Sequence, residues 1–128
     1  RAHIDAAFAL HGDGKSHSGL VIKLGGSTIM CKSSKQKIVT KDSTEAELVA
    51  LSDMMVLVLK AHEFMQSQGR GKKAPVLYQD NMSTISLVTK GGGKYRTKHM
   101  RVSIGVKWCV NAPLMVISEW YTSPLVRC

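Results

Sequence analysis

Acidic residues are scarce in this sequence of 128 residues, where nine Asp and Glu stand against eighteen Lys and Arg. The formal net charge is +9 at pH 7, and the isoelectric point is near 9.7. A chain with this excess of positive charge suits a polyanionic partner, and nucleic acid is the first candidate. Because the acids are so few, each one can be examined for a role.

Cysteines and long apolar runs are also few. The three cysteines, Cys31, Cys109 and Cys128, are odd in number and widely spaced, which excludes a disulfide framework and predicts free thiols in a reducing compartment. The longest apolar segment, around Met54 to Leu59, is far shorter than a membrane span, and no segment resembles a signal peptide. We therefore expect an intracellular protein of the cytoplasm, a virus-like particle or the nucleus, neither secreted nor bound to a membrane.

The length fits one compact domain over residues 1–128 that buries its core without disulfides or a structural metal. The chain begins at Arg1 without a methionine, which suggests a fragment of a longer polyprotein. Hydrophobic patterning and turn residues predict strands at 2–10, 18–26, 27–40, 76–80 and 114–121, and helices at 43–68, 81–90 and 101–111. This order predicts an α/β fold in which helices flank a mixed five-stranded sheet that starts with a three-stranded antiparallel meander.

The stretch KDSTEAELVALSDMM, residues 41–55, places two glutamates at the head of a predicted helix. Asp42 suits the N-cap, and Glu45 can complete a capping box by reaching back to the Asp42 backbone N–H. The helical line through Glu45 is mostly polar and is expected to face water, whereas the line through Glu47 is an apolar stripe. A carboxylate that heads a buried stripe is costly unless it is paired or holds a metal.

Three carboxylates have unusual settings. Asp5 interrupts an apolar strand, Glu47 heads the buried stripe, and Asp80 ends a strand where a helix begins, which is where open α/β sheets place their ligands. If the three converge, some must be protonated unless a cation neutralises them. Each also has a structural alternative, because a strand-end Asp often caps the next helix and a lone Asp in a strand can mark a sheet edge.

The donor atoms of these residues indicate which metal would suit them. Hard oxygen ligands without a nearby Cys or His pair favour Mg²⁺ or Mn²⁺ over zinc. Sites with two such metals serve phosphodiester hydrolysis, which agrees with the basic composition. The histidines His3, His11, His17 and His62 show no metal-ligand spacing, so a zinc site is not expected.

Five blocks follow one another in an order typical of a known family: IDAAF (4–8), KSHSGLVIKLGGSTIMCKSSKQK (15–37), DSTEAELVALSD (42–53), YQDNMSTISL (78–87) and RTKHMRVSI (96–104). Together they resemble the ribonuclease H domain of copia-type LTR retrotransposon polyproteins. The resemblance implies a ribonuclease H-like fold, a covalently linked reverse transcriptase, and cleavage of the RNA strand of RNA–DNA hybrids with two divalent metals. It places the catalytic and metal-binding carboxylates on Asp5, Glu47 and Asp80.

The chain departs from that family at its end. The family has a fourth aspartate in a final helix after the last strand, whereas this sequence ends in SEWYTSPLVRC without it. The resemblance therefore implies that the final helix is missing, because the chain either has been cut short or is a degenerate copy. A position beside Met100 and Arg101 that is often aspartate in the family is basic here, which fits a copy that has drifted.

Basic and polar side chains suit phosphate contacts, which position a duplex without distinguishing its sequence. The residues predicted to bind nucleic acid are Lys35, Lys37, Asn81, Lys94, Arg96, Lys98 and His99, with Lys32, Arg70, Lys72 and Lys73 as further basic candidates. Each basic residue has a simpler alternative as solvated surface, and His99 has one as a loop residue. Trp108 and Trp120 are predicted to pack in the core rather than stack on bases.

Two hypotheses from different classes follow. The first is a Mg²⁺- or Mn²⁺-dependent endoribonuclease that cleaves RNA–DNA hybrids. The second is a catalytically weak or inactive module of the same fold that binds nucleic acid for a retroelement. The absent fourth carboxylate favours the second hypothesis, and a hybrid-cleavage assay discriminates between them.

Overall fold

The computed structural model describes residues 1–70 and 74–89 and the strand segments 115–118 and 126–127. In chain order the elements are β1 (Ala2–Ala7), β2 (His17–Leu24), β3 (Ser27–Lys35), α1 (Ser43–Ser67), β4 (Val76–Gln79), α2 (Met82–Thr89), β5 (Met115–Ser118) and β6 (Val126–Arg127). The predicted third helix at 101–111, with Trp108 and Cys109, lies outside the described residues, as do Trp120 and Cys128.

The strands form one mixed sheet in the order β3-β2-β1-β4-β5-β6. β1, β2 and β3 are antiparallel neighbours, which confirms the predicted meander. β4 pairs in parallel with β1 and with β5, while β6 is antiparallel to β5. The predicted α/β sheet is therefore confirmed, with β1 and β4 as adjacent central strands.

The number of strands differs from the prediction. Five strands lie where the sequence predicts them, but β6, which comprises only Val126 and Arg127, is a sixth. Two residues beside Pro124 and Leu125 are too short a run to show alternation, so no strand was predicted there. β1 and β3 also end earlier than predicted, at Ala7 and Lys35.

The core lies between α1 and one face of the sheet. The sheet contributes Ile4, Leu20 and Leu77, each at most 2% exposed, and the helix contributes the predicted stripe of Ala50, Leu51, Met54 and Val58. Because the apolar residues of α1 recur at helical spacing, one face of the helix covers β1 and β2. Met55 also lies in the core, and Met65 is half-buried.

Both ends of α1 have recognisable capping residues. At the start, the Asp42 side chain accepts a hydrogen bond from the Glu45 backbone N–H at 2.8 Å. At the end, Gln68 is the C-cap and Gly69 follows with φ of +70°, a left-handed conformation that glycine adopts without strain. None of the helices in these described parts of the chain is long and apolar enough to cross a membrane.

Candidate metal centre

The central parallel strands bring two aspartates to the same edge of the sheet. Ala2 lies opposite Leu77 and His3 lies opposite Tyr78. If both strands are followed for three residues beyond the first pair in the same register, Asp5 lies beside Asp80. Both side chains are exposed, because each lies where its strand leaves the core.

Glu47 reaches the same edge from the first turn of α1. Its side chain is only 5% exposed and lies on the face that packs against the sheet. The Ala6 backbone N–H donates to Glu47 Oε1 at 3.1 Å, and Gln79 Nε2 donates to Glu47 Oε2 at 2.8 Å. The Ala6 N–H also donates to Asp5 Oδ1 at 2.8 Å, so one donor lies between two carboxylates.

Asp5, Glu47 and Asp80 form a three-carboxylate cluster. One oxygen from each lies within 4.8 Å of the corresponding oxygen of the others. Among the described residues, this is the grouping of three or more His, Cys, Asp or Glu side chains that is close enough to hold a metal ion. The predicted convergence of the three acids is therefore present in the structure.

The electrostatics of the cluster are unfavourable without a cation. Burial, together with the charges of Asp5 and Asp80, raises the pKa of Glu47 from its usual 4.5 to about 7. The hydrogen bonds from Gln79 and Ala6 act in the opposite direction, since they favour the charged carboxylate. A divalent cation between the three side chains would oppose both the desolvation and the repulsion.

Glu45 does not have the position that the sequence suggested. Its side chain is 7% exposed, so it does not face water, and its Oε2 accepts from the Lys41 backbone N–H at 2.6 Å rather than from that of Asp42. Asp42 caps the helix as predicted, but the return hydrogen bond of the Glu45 side chain is displaced by one residue. Helical periodicity could not show this, because the partner of Glu45 is a backbone N–H that precedes the helix.

The predicted nucleic-acid-binding residues fall into two groups. Lys94, Arg96, Lys98 and His99 lie outside the described residues, as do the further candidates Lys72 and Lys73. Lys35 and Lys37 are exposed on β3 and the turn after it, and so is Lys32. Lys35 Nζ lies 2.8 Å from Asp13 Oδ2, and its hydrogen bond lowers the pKa of Asp13.

Asn81 and Arg70 have more specific positions. The Asn81 side-chain oxygen accepts from the Thr84 backbone N–H at 3.1 Å, so it caps α2. This cap fixes the residue directly after Asp80. Arg70 lies beyond the far end of α1, beside an apolar cavity of about 360 Å³. The 20 residues of helix between Glu47 and Ser67 separate it from the cluster by roughly 30 Å.

Two comparisons with known proteins found similar proteins, although no protein-family model matches the chain. The chain is 33% identical over 88 residues to the retrovirus-related Pol polyprotein from transposon TNT 1-94 of Nicotiana tabacum. That match covers 69% of this chain but 7% of the polyprotein, so the chain spans a small part of its relative's length. The chain also superposes on LC11 ribonuclease H1, isolated from compost by a metagenomic approach, with a TM-score of 0.53. That match has 19% identity and covers 91% of this chain and 81% of the compost protein.

The chain is a ribonuclease H-like domain related to retrotransposon Pol polyproteins. The predicted relationship to retrotransposon polyproteins and the predicted ribonuclease H-like α/β fold are therefore confirmed. The copia-type assignment, the roles of the individual site residues and the absence of a fourth carboxylate stay predictions.

Sequence reasoning missed two polar features of this ribonuclease H-like domain. Gln79 is 1% exposed and holds Glu47, and its only signal was a polar residue at the inward position of a short strand. The other feature is a pair of histidines, with His11 Nε2 lying 3.0 Å from His17 Nδ1 while His17 Nε2 lies 2.6 Å from Ser33 Oγ. Their spacing along the chain gave no metal-ligand pattern, because a turn rather than a helix brings them together.

Proposed function

We propose that this domain is a metal-dependent endoribonuclease that hydrolyses the RNA strand of RNA–DNA hybrids. The observation that carries the proposal is the three-carboxylate cluster of Asp5, Glu47 and Asp80 at the sheet edge of a ribonuclease H-like fold. The basic composition supports a polyanionic substrate. The polyprotein relative supports a covalently linked reverse transcriptase as a partner and an intracellular location for the domain.

The donor set fits Mg²⁺ or Mn²⁺. All three side chains offer carboxylate oxygens, which are the ligands these hard cations prefer. Glu47 is buried beside two other acids, an arrangement that a bound cation stabilises. Asp5, Glu47 and Asp80 would hold the cation, and the metal would supply an activated water and stabilise the leaving oxygen of the phosphodiester.

The protein's own residues do the positioning. The Ala6 N–H and the Gln79 amide hold the two oxygens of Glu47, while Asp5 and Asp80 extend into solvent where a phosphate can approach. Lys32, Lys35 and Lys37 on the β3 side, together with Lys94, Arg96, Lys98 and His99, are proposed to contact the duplex backbone. Asn81 is proposed to contact the sugar or phosphate next to Asp80.

Cleavage of a labelled RNA–DNA hybrid tests the proposal, with Asp80→Asn as the control for contaminating nuclease. We expect weak cleavage with Mg²⁺ and stronger cleavage with Mn²⁺. This expectation follows from the predicted absence of a fourth carboxylate, which would weaken a second metal site. Mg²⁺ demands near-ideal octahedral geometry, whereas Mn²⁺ binds such oxygen sites at least as tightly. Hybrid binding without cleavage in either metal would instead support the inactive binding module.

A further inference from the structure

Gln79 is a buried amide at the end of β4, directly before Asp80. Its Nε2 donates to Glu47 Oε2 at 2.8 Å, and the Gln79 side chain is 1% exposed. The second oxygen of Glu47 is held by the Ala6 N–H, which belongs to the residue after Asp5. Glu47 is therefore hydrogen-bonded by the residue that follows Asp5 and by the residue that precedes Asp80.

The position of the Gln79 side-chain carbonyl is energetically unfavourable. Its Oε1 is buried and has no hydrogen-bond partner among the described residues. A buried carbonyl without a partner destabilises a protein, so an apolar side chain would suit this position of the strand better. What the amide provides here is its hydrogen bond to the Glu47 carboxylate.

We propose that Gln79 is a positioning residue that fixes the Glu47 carboxylate so that it binds a divalent cation together with Asp5 and Asp80. This inference rests on the proposed function of the cluster. A glutamate side chain has three rotatable bonds, and without the Gln79 donor only the Ala6 N–H would restrain the head group. Outer partners of metal ligands typically contribute about 10- to 100-fold in metal affinity, because they orient the ligand.

A Mg²⁺ titration followed by amide NMR shifts and a Mn²⁺ titration followed by amide line broadening test the inference in Gln79→Leu, which removes the donor with little change in volume. Gln36→Leu is a matched control. Gln36 is 3% exposed, and its Oε1 also has no hydrogen-bond partner within the described part of the chain, but its Nε2 donates to Ser18 Oγ and to the Ala46 carbonyl. We expect Gln79→Leu to weaken metal binding about tenfold, and Gln36→Leu to leave it within twofold while lowering the melting temperature. Equal losses in the two variants, or no loss in Gln79→Leu, would overturn the inference.

A double-mutant cycle with Glu47→Gln separates positioning from a general structural effect. Once Glu47 no longer ligates, Gln79→Leu should cause no further loss of affinity, whereas additive losses would contradict a role through Glu47. If Glu47→Gln alone binds metal as the unmodified chain does, the metal-centre assignment fails and this inference fails with it. If Gln79→Leu does not fold, Gln79→Asn, whose side chain is too short to reach Glu47, gives the same comparison.

Discussion

At the scale of single residues, the two glutamates of α1 show what helical periodicity can and cannot predict. Periodicity correctly assigned Glu47 to the inward stripe, because the apolar residues that follow it pack on the sheet. It failed for Glu45, whose side chain is buried and accepts a hydrogen bond from the Lys41 backbone N–H. Gln79 was missed for a related reason, since its hydrogen-bond partner, Glu47, lies 32 positions away in the sequence.

Substituting the two glutamates separately should give different losses. We predict that Glu47→Gln strongly weakens Mg²⁺ binding, because it removes one ligand from the three-carboxylate cluster and leaves Asp5 and Asp80. Glu45→Gln should retain Mg²⁺ affinity and lower stability by about 1 kcal/mol, because it weakens the hydrogen bond to the Lys41 N–H. Calorimetric titration and urea unfolding measure the two quantities. Equal loss of Mg²⁺ affinity in both variants would refute the assignment of Glu47 as the ligand.

Stability of the metal-free chain should depend on pH through Glu47. Its folded-state pKa is raised to about 7, so folding favours the protonated form. The resulting stability is fully present below pH 4.5 and is lost as the pH rises toward 7, a change of about 1–3 kcal/mol. Urea unfolding across this range should show the decline in the unmodified chain. The decline should be absent from Glu47→Gln and reduced by saturating Mg²⁺, and an identical decline in Glu47→Gln would exclude Glu47 as its cause.

At the scale of elements, sequence patterns predicted the presence of each helix and strand better than the residue at which it ends. α1 was predicted from Ser43 to about Gln68 and spans Ser43–Ser67, because its N-cap and the glycine after its C-cap are both local signals. β3 was predicted to continue to Thr40 but ends at Lys35. There the Gln36 N–H donates to the Ser16 carbonyl and Thr40 Oγ1 lies 2.9 Å from Ser16 Oγ. Those partners lie on the segment before β2, so local sequence could not identify them.

The Asp42 cap should affect stability without affecting metal binding. Asp42→Ala removes the acceptor for the Glu45 backbone N–H and should lower the free energy of unfolding by about 1 kcal/mol. Ser43→Ala, one residue later on the exposed surface, is the matched control and should change it by much less. Urea unfolding of both variants provides the measurement. Equal stabilities would show that the cap does not stabilise α1.

At the scale of the whole molecule, the excess of nine positive charges should govern how the domain binds a hybrid duplex. We predict that affinity falls steeply as salt rises, because each phosphate contact releases counterions, and that affinity varies little with base sequence. Fluorescence anisotropy with Asp80→Asn, in the absence of cleavage, measures both dependences. An affinity that hardly changes between low and physiological salt would contradict phosphate contacts as the source of binding.

Localised binding of Mn²⁺ is the most direct test of the central claim that Asp5, Glu47 and Asp80 form a metal centre. Mn²⁺ is paramagnetic and broadens the amide signals of residues near it. We predict that substoichiometric Mn²⁺ first broadens Ala6, Glu47 and Gln79, that excess Mg²⁺ restores these signals, and that Ser67, roughly 30 Å along α1, is broadened far less. Broadening centred on His11 and His17, or spread evenly over the exposed acids, would contradict it.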